Sequence, residues 1–103
     1  MAGSIFLLIH VYSPLPQGTC DEGVAVACLY EGLALVDWDG WKAHERLETA
    51  CLSDIGVACG IDGALSWAAG YVDEARRSWR EGCRQLDKSS CRAQALLGSD
   101  STP

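Results

Sequence analysis

The sequence CLSDIGVAC at residues 51–59 contains two cysteines with seven residues between them, and the same gap separates Cys20 from Cys28 and Cys83 from Cys91. The first cysteines of these pairs follow one another at intervals of 31 and then 32 residues. An almost constant interval of this size indicates a repeat protein, in which each unit is one supersecondary structure. The cysteine pairs therefore predict successive copies of one short unit.

The residues between the cysteine pairs favour helix over strand. No proline occurs between residues 17 and 102, and alanine, leucine, glutamate and arginine are frequent there. Two segments carry apolar or small residues at the i, i+4, i+7 and i+8 spacing of one helical face. These residues are Ala43, Leu47, Ala50 and Cys51 in one segment, and Ala75, Trp79, Gly82 and Cys83 in the next. Helices are predicted over about residues 22–35, 40–52, 55–68, 71–86 and 88–97.

The gap inside each cysteine pair has a geometric consequence. Two cysteines eight positions apart on one straight helix lie about 12 Å apart along its axis, whereas a disulfide requires Cα atoms within about 7 Å. If the pairs bridge, the chain must turn between them. Turn-forming residues are present in each gap, as DEG at 21–23, SD at 53–54 and DKSS at 87–90. Each unit then consists of two helices joined by a tight turn.

These patterns predict an all-α chain that forms one domain with a modest core. The repeats span residues 20–97, with units at about 20–50, 51–82 and 83–97. Residues 1–19 are predicted to be an apolar N-terminal segment or a degenerate first repeat, because Pro14 and Pro16 stand where a helix should precede Cys20. Residues 98–103 are predicted to be a disordered tail.

Three motifs of the chain resemble one family of repeats. They are Cys20-Asp21-x-Gly23-x4-Cys28, Asp39-x2-Lys42-Ala43-x6-Ala50-Cys51 and Gly56-x2-Cys59. Over residues 20–97 the chain is similar to the Sel-one-like repeat family, the short relatives of tetratricopeptide repeats, and it looks most like their cysteine-rich bacterial branch, the Hcp-type proteins. The resemblance implies an α/α superhelix, or solenoid, that serves as an adaptor or protein-binding scaffold. The units are shorter here than in that family, and the first helix of the first unit is absent or unrecognisable.

The resemblance also implies one disulfide per repeat, so that each repeat closes its own hairpin. The predicted pairs are Cys20–Cys28, Cys51–Cys59 and Cys83–Cys91. Such bonds place the protein in an oxidising compartment, either periplasmic or secreted. The apolar run at residues 5–9 imitates the core of a signal peptide, but no Lys or Arg precedes Lys42, so the usual basic leader is missing.

The cysteines also permit a second interpretation, a metal-binding or redox protein, which includes the twin-cysteine helical hairpins of mitochondria. Zinc sites commonly use Cys pairs separated by two to four residues, and the uniform gap here differs from that spacing. A count of free thiols in the native protein would separate the two interpretations. No metal or cofactor is predicted.

No catalytic site is predicted either. The sequence HERLE at residues 44–48 resembles the zinc-protease helix motif, but Glu48 stands where the second His belongs, so it is interpreted as a solvent-facing charged turn. Some Hcp-type proteins carry a β-lactamase label. No serine here has a lysine three residues later, as the Ser-x-x-Lys nucleophile requires. A weak β-lactamase-like activity therefore stays an alternative that only the resemblance implies.

The composition narrows the class of partner. A net charge of −6 argues against general binding to nucleic acid or to an anionic membrane surface, since both need a basic protein surface. No apolar run approaches the roughly 18 residues of a membrane span. The leading interpretation is a non-catalytic module that binds a protein or peptide, with an oligomeric state that the sequence does not specify.

Arg77, Arg80 and Arg84 share one side of their predicted helix, opposite its apolar face. A basic strip on an acidic chain can hold an acidic peptide through forked guanidinium contacts. The alternative is a set of surface ion pairs, because Glu45 and Glu48 occupy the positions equivalent to Arg77 and Arg80 in the preceding unit. No acid occupies the position equivalent to Arg84, so Arg84 is expected to lack an acidic partner.

The tryptophans supply a further candidate. Trp38 lies between Asp37 and Asp39 in a short connection between units, where it either packs between them or stays exposed as an anchor for a partner. Trp79 occupies the position equivalent to Leu47 on the apolar face, and it is therefore predicted to belong to the core.

Overall fold

The computed structural model describes residues 18–98, which form five α-helices and two shorter helical turns. A 3-10 turn at Cys20–Glu22 is followed by α1 (Ala25–Leu35), α2 (Gly40–Leu52), α3 (Gly56–Ala68), α4 (Val72–Arg84), α5 (Lys88–Ala93) and a π-helical turn at Gln94–Gly98. No strand occurs within residues 18–98, and the prediction of an all-α chain is confirmed. The predictions for residues 1–17 and 99–103 lie outside the described residues.

One type of turn recurs inside each cysteine pair. Gly23, Asp54 and Leu86 all have a positive φ, of 84°, 68° and 68° respectively. In each case the backbone N–H of the next residue donates to the carbonyl five positions before it, at 2.9 to 3.2 Å. This is the Schellman ending of a helix. A residue in the left-handed conformation turns the chain so that the backbone N–H groups at the turn donate to the last free carbonyls of the helix. The turns predicted from DEG, SD and DKSS are therefore present, and each is built on the same geometry.

The cysteine pairs are disulfides that close these turns. The bonds are Cys20–Cys28, Cys51–Cys59 and Cys83–Cys91, with Cα atoms 4.4 to 4.7 Å apart. These are the pairs named from the sequence, and no cysteine is free. The second cysteine of every pair is the fourth residue of its helix, so each bond ties the start of that helix to the segment before it.

The buried part of the core consists of small residues and two large ones, Leu47 and Trp79, and partly buried apolar side chains such as Leu29 and Leu65 pack against it. Leu47 packs with buried alanines and with the first two disulfides. Trp79 is buried at the equivalent position of α4, and its indole N–H donates to the carbonyl of Gly60 at 3.3 Å. Both side chains therefore take the core positions that their helical spacing predicts.

Two glycines allow helices to approach closely at these large side chains. A Cβ atom on Gly32 would lie 2.7 Å from the side chain of Leu47, and a Cβ atom on Gly63 would overlap the indole ring of Trp79. As a result α1 packs extensively on α2, and α3 packs extensively on α4. Helices α3 and α4 each contact α2 and α5 as well as one another, so these two helices form the centre of the described chain.

The helix boundaries differ from the prediction mainly where turns intervene. The helix expected from residue 22 begins at Ala25, because Gly23 ends a 3-10 turn with its left-handed conformation. The helix expected to reach residue 86 ends at Arg84, because Leu86 adopts the left-handed conformation. The last predicted helix changes from α to π geometry after Ala93.

Candidate functional site

A groove of about 690 Å³ lies where α2, the end of α3 and the start of α4 meet. Its lining residues come from all three helices and from the turn between α3 and α4. They are Gly40, Trp41, His44, Glu48, Leu65, Ser66, Ala69, Tyr71, Glu74 and Arg77. The groove therefore combines apolar walls with side chains of both charges.

Helix α2 supplies one wall through the spacing of three residues. Asp39 caps the start of α2, its carboxylate accepting a hydrogen bond from the Lys42 backbone N–H at 3.1 Å. From that start, Trp41, His44 and Glu48 follow at i, i+3 and i+7, which places them on one face of the helix. The rings of Trp41 and His44 are in contact, with their centroids 5.6 Å apart.

A buried carboxylate orients the imidazole of His44. His44 Nδ1 lies 2.7 Å from Oδ1 of Asp62, whose residue is only 1% exposed. Burial raises the pKa of Asp62, while its hydrogen bond to His44 opposes this shift. With Nδ1 directed at Asp62, the ring turns Nε2 toward Glu48, whose Oε2 is 3.9 Å away. The imidazole is thus held in one orientation at the wall of the groove.

The opposite wall begins at a tight turn. Gly70, with a φ of 91°, ends α3, and the backbone N–H of Tyr71 donates to the carbonyl of Ser66 at 2.8 Å. This turn sets Tyr71 at the start of α4 as a lining residue of the groove, where it is 58% exposed. Trp41 on the other wall is 67% exposed, so two aromatic side chains present open faces to the same space.

Of the arginine strip predicted on α4, only Arg77 lines the groove. Arg77 and Arg80 are exposed, and within residues 18–98 neither has a carboxylate within 4 Å. The ion pairs expected with Glu45 and Glu48 do not form in this part of the chain. The strip is therefore divided, with one arginine at the groove and the others outside its lining.

The expectation for Arg84 is wrong. Arg84 Nη2 lies 2.5 Å from Oε2 of Glu81, and Arg84 Nε donates to the same oxygen at 2.6 Å. Their hydrogen bond raises the pKa of Arg84 and lowers the pKa of Glu81. The acid lies three positions earlier on the same helix, whereas the expectation rested on the equivalent residues of other units. The Arg84 side chain remains 67% exposed in this ion pair, and its role in binding a partner stays a prediction.

Trp38 is outside the lining of the groove. Its side chain is 86% exposed, so it does not pack between the units. It follows the last turn of α1, where its backbone N–H donates to the carbonyl of Leu35 at 3.0 Å. Trp38 is an isolated exposed aromatic residue, while Trp41 is an exposed aromatic residue inside a concave site.

The pair formed by His44 and Asp62 is not among the features predicted from the sequence. Residues 44–48 were expected to form a solvent-facing charged turn, but His44 turns toward the buried carboxylate of Asp62. Arg46 forms an exposed ion pair with Asp21 at 2.7 Å, in keeping with that expectation. A signal was present in α3, where Asp62 follows Cys59 by three positions and therefore shares its buried face. A carboxylate on such a face requires a hydrogen-bonding partner.

Two other features, a metal site and a membrane span, were sought in the part of the chain that the structure describes. No group of three or more His, Cys, Asp or Glu side chains within residues 18–98 is arranged to hold a metal ion. No helix in that range combines the length and apolar character needed to cross a bilayer. Comparisons with protein-family models, with curated proteins and with solved structures found no match for the chain.

Proposed function

We propose that this protein is a non-catalytic interaction module that binds a segment of a partner protein in the groove between α2 and α4. The observation that carries the proposal is the groove itself, about 690 Å³ in volume and lined by two open aromatic side chains and by fixed polar groups. A mostly apolar concavity with a few polar groups at set positions is the usual form of a binding site.

The architecture behind this proposal is a short array of helical hairpins of the Sel-one-like, tetratricopeptide-related type. Two recurrences support it. The three disulfide-closed turns share one backbone geometry, and the contact between Gly32 and Leu47 recurs between Gly63 and Trp79. In such arrays the first helices of successive units line one concave surface, which is suited to peptides and partner helices. Helices α2 and α4 have that role here.

The groups around His44 favour a non-catalytic role. His44 and Asp62 resemble the base and the orienting acid of a hydrolytic site. Among residues 18–98, however, no serine or cysteine forms a hydrogen bond with His44, and all six cysteine sulfurs are in disulfides. The dyad then serves to fix a polar group at the groove wall.

The proposed location is an extracytoplasmic one, periplasmic or secreted. Three disulfides fit an oxidising compartment, because reducing compartments keep most protein thiols free. A thiolate metal site requires free cysteines, and a redox protein alternates between dithiol and disulfide. The bonded state of all six cysteines, each in a local pair at a helix start, supports a structural role instead. The net charge of −6 favours a protein or peptide partner over nucleic acid.

The test is a selection of binding peptides from a displayed random library against the oxidised protein, followed by affinity measurements on two variants. Trp41→Ala removes an aromatic wall of the groove, while the matched control Trp38→Ala removes an exposed tryptophan outside it. We expect the selected peptides to lose about tenfold or more in affinity for Trp41→Ala, as for the loss of an aromatic hot spot. They should keep their affinity for Trp38→Ala. Equal losses for the two variants, or no selected peptide at all, would refute the proposal.

A further inference from the structure

In one of its tautomers, His44 gives the α2 wall of the groove a hydrogen-bond acceptor. In a neutral imidazole one ring nitrogen donates and the other accepts. His44 Nδ1 lies 2.7 Å from the buried carboxylate of Asp62, and in the tautomer that donates to this carboxylate Nε2 is an acceptor on the side of Glu48 and the groove. This arrangement biases the wall toward groups that accept hydrogen bonds.

Two carboxylates strengthen this bias. Glu48 on α2 and Glu74 on α4 line opposite walls, and both side chains are open to solvent. Arg77 is the one Lys or Arg side chain among the lining residues, and it follows Glu74 by three positions on the same helix. The lining therefore holds more negative than positive charge, as does the whole chain, whose net charge is −6.

The aromatic walls of the groove also favour a positively charged ligand. The faces of Trp and Tyr rings carry negative electrostatic potential, and they attract ammonium and guanidinium groups placed over them. Trp41 and Tyr71 are 67% and 58% exposed in the groove, so their faces are accessible to a ligand. Acceptors, carboxylates and aromatic faces are all complementary to a cationic donor.

We propose that the groove recognises a lysine or arginine side chain of its partner, held between Trp41 and Tyr71 and neutralised by Glu48 and Glu74. This inference rests on the proposed function and specifies the ligand chemistry of that site. It reverses the preference that a basic strip on α4 indicates, because only Arg77 of that strip reaches the groove.

The experiment uses three small probes in NMR titrations of the full oxidised chain at about pH 8, where imidazole is ordinarily neutral. The probes are the N-acetyl methylamides of lysine, norleucine and glutamic acid. Norleucine has the four-carbon side chain of lysine without the ammonium group, so it measures the contribution of the apolar walls alone. The signals followed are the indole N–H of Trp41 and the backbone N–H groups of Tyr71 and Glu74.

We expect the lysine probe to shift these signals and to bind about five- to tenfold more tightly than the norleucine probe, as modest cation–π and exposed ion-pair contributions would give. Tighter or equal binding of norleucine would overturn the inference and leave the proposed binding groove standing. Preferred binding of the glutamic acid probe would also overturn it. If no probe shifts the groove signals, both the inference and the proposed function fail.

Variants that each neutralise one carboxylate test whether the lysine probe binds at the groove. Glu48→Gln and Glu74→Gln should each weaken the lysine probe about two- to fivefold, in line with the loss of one exposed ion pair, and leave the norleucine probe unchanged. Glu45→Gln is the matched control, because Glu45 is exposed on α2 outside the lining of the groove. If all three variants weaken the lysine probe equally, its attraction is to the net charge of the chain and the inference is wrong.

Discussion

Among residues 18–98, Leu86 has the local conformation that is least suited to its side chain. It has a φ of 68° in the last disulfide-closed turn, where the first two turns use Gly23 and Asp54. A left-handed conformation is readily adopted by glycine and tolerated by Asp and Asn, but it is unfavourable for a branched apolar residue. The side chain is 85% exposed, so little packing compensates for this strain.

Leu86→Gly should therefore stabilise the protein, by about 1 kcal/mol after the greater flexibility of the unfolded chain is deducted. For a domain of this size the gain corresponds to a rise of about 4–8 °C in Tm, measured by circular dichroism. Leu86→Ala is the control, because it shortens the side chain and retains the Cβ atom that causes the strain. Equal midpoints for the glycine and alanine variants would contradict this explanation.

The ionisation of Asp62 makes the free energy of unfolding depend on pH. Burial raises the pKa of Asp62 in the folded protein above the ordinary value for a carboxyl group. Between the pKa of Asp62 in the unfolded chain and its higher pKa in the folded protein, the folded state binds more protons than the unfolded state. The contribution of Asp62 to the free energy of unfolding is therefore greatest in acid, and it is lost as the pH rises through the pKa of the folded protein. The hydrogen bond with His44 opposes the shift and reduces this loss.

Asp62→Asn removes that titration and keeps an oxygen that can accept from His44 Nδ1. As the pH rises from about 4 toward 7, the Tm of the wild type should fall relative to that of Asp62→Asn. A His44→Ala background removes the hydrogen bond that opposes the raised pKa of Asp62, so the relative fall should be larger there. Thermal midpoints across a pH series check both expectations. If the plots of Tm against pH run parallel with Asp62 and with Asn at this position, in both the wild-type and the His44→Ala backgrounds, the pKa of Asp62 does not change on folding.

At the scale of helices, the contact of α3 with α4 depends on the absence of a side chain at Gly63. Any Cβ atom there would overlap the ring of Trp79, which is buried and fixed by its hydrogen bond to Gly60. The same relation holds between Gly32 and Leu47. These glycines are therefore selected by tertiary packing, since within a helix glycine is locally less favourable than alanine.

Gly63→Ala should destabilise the protein by about 1–3 kcal/mol, the usual result of overpacking a core, even though alanine is the better helix former. Gly40→Ala provides the control, because a Cβ atom at Gly40 meets nothing within 4 Å. Urea unfolding of the two variants measures the difference. A Gly63→Ala variant as stable as the wild type would mean that α3 and α4 separate without loss, contrary to the tight contact at Trp79.

The helices themselves could be predicted from the sequence because their signals are local. The spacing of Leu47 and Trp79 within their segments identified the buried faces, and the turn formers between cysteines identified the turns. The site could not be predicted in the same way. The hydrogen bond between His44 and Asp62 joins residues 18 positions apart on different helices, and their relative rotation is set by tertiary packing. The pairing of Arg84 with Glu81 was accessible, since i, i+3 neighbours meet on one helix.

At the scale of the whole molecule, the disulfides supplement a core with few fully buried large side chains. Around Leu47 the buried residues are alanines and cystines, and the larger apolar side chains packed against them, such as Leu29 and Leu65, are only partly buried. Each disulfide closes a loop of roughly nine residues and contributes about 2–3 kcal/mol in the chain-entropy model. Together such contributions are comparable to the entire stability of a small domain.

Reduction of the three disulfides should therefore unfold the protein. Far-UV circular dichroism of the native chain with and without dithiothreitol measures the effect, and the helical signal should largely disappear on reduction. Peptide mapping under non-reducing conditions should recover the three local pairs. Persistence of the helical signal after complete reduction would show that the core suffices alone. Several free thiols in the native protein would instead favour the metal or redox alternative.

Each disulfide joins two cysteines only eight positions apart, and no covalent bridge passes from one hairpin to the next. In genetic terms, a stretch of coding sequence for one hairpin carries both halves of its own cross-link. Duplication or loss of such a stretch leaves every remaining cysteine with its partner, so the chain can lengthen or shorten by whole hairpins without creating an orphan thiol. The cross-linking pattern thus permits change in the number of hairpins while every disulfide stays within its own stretch of the chain.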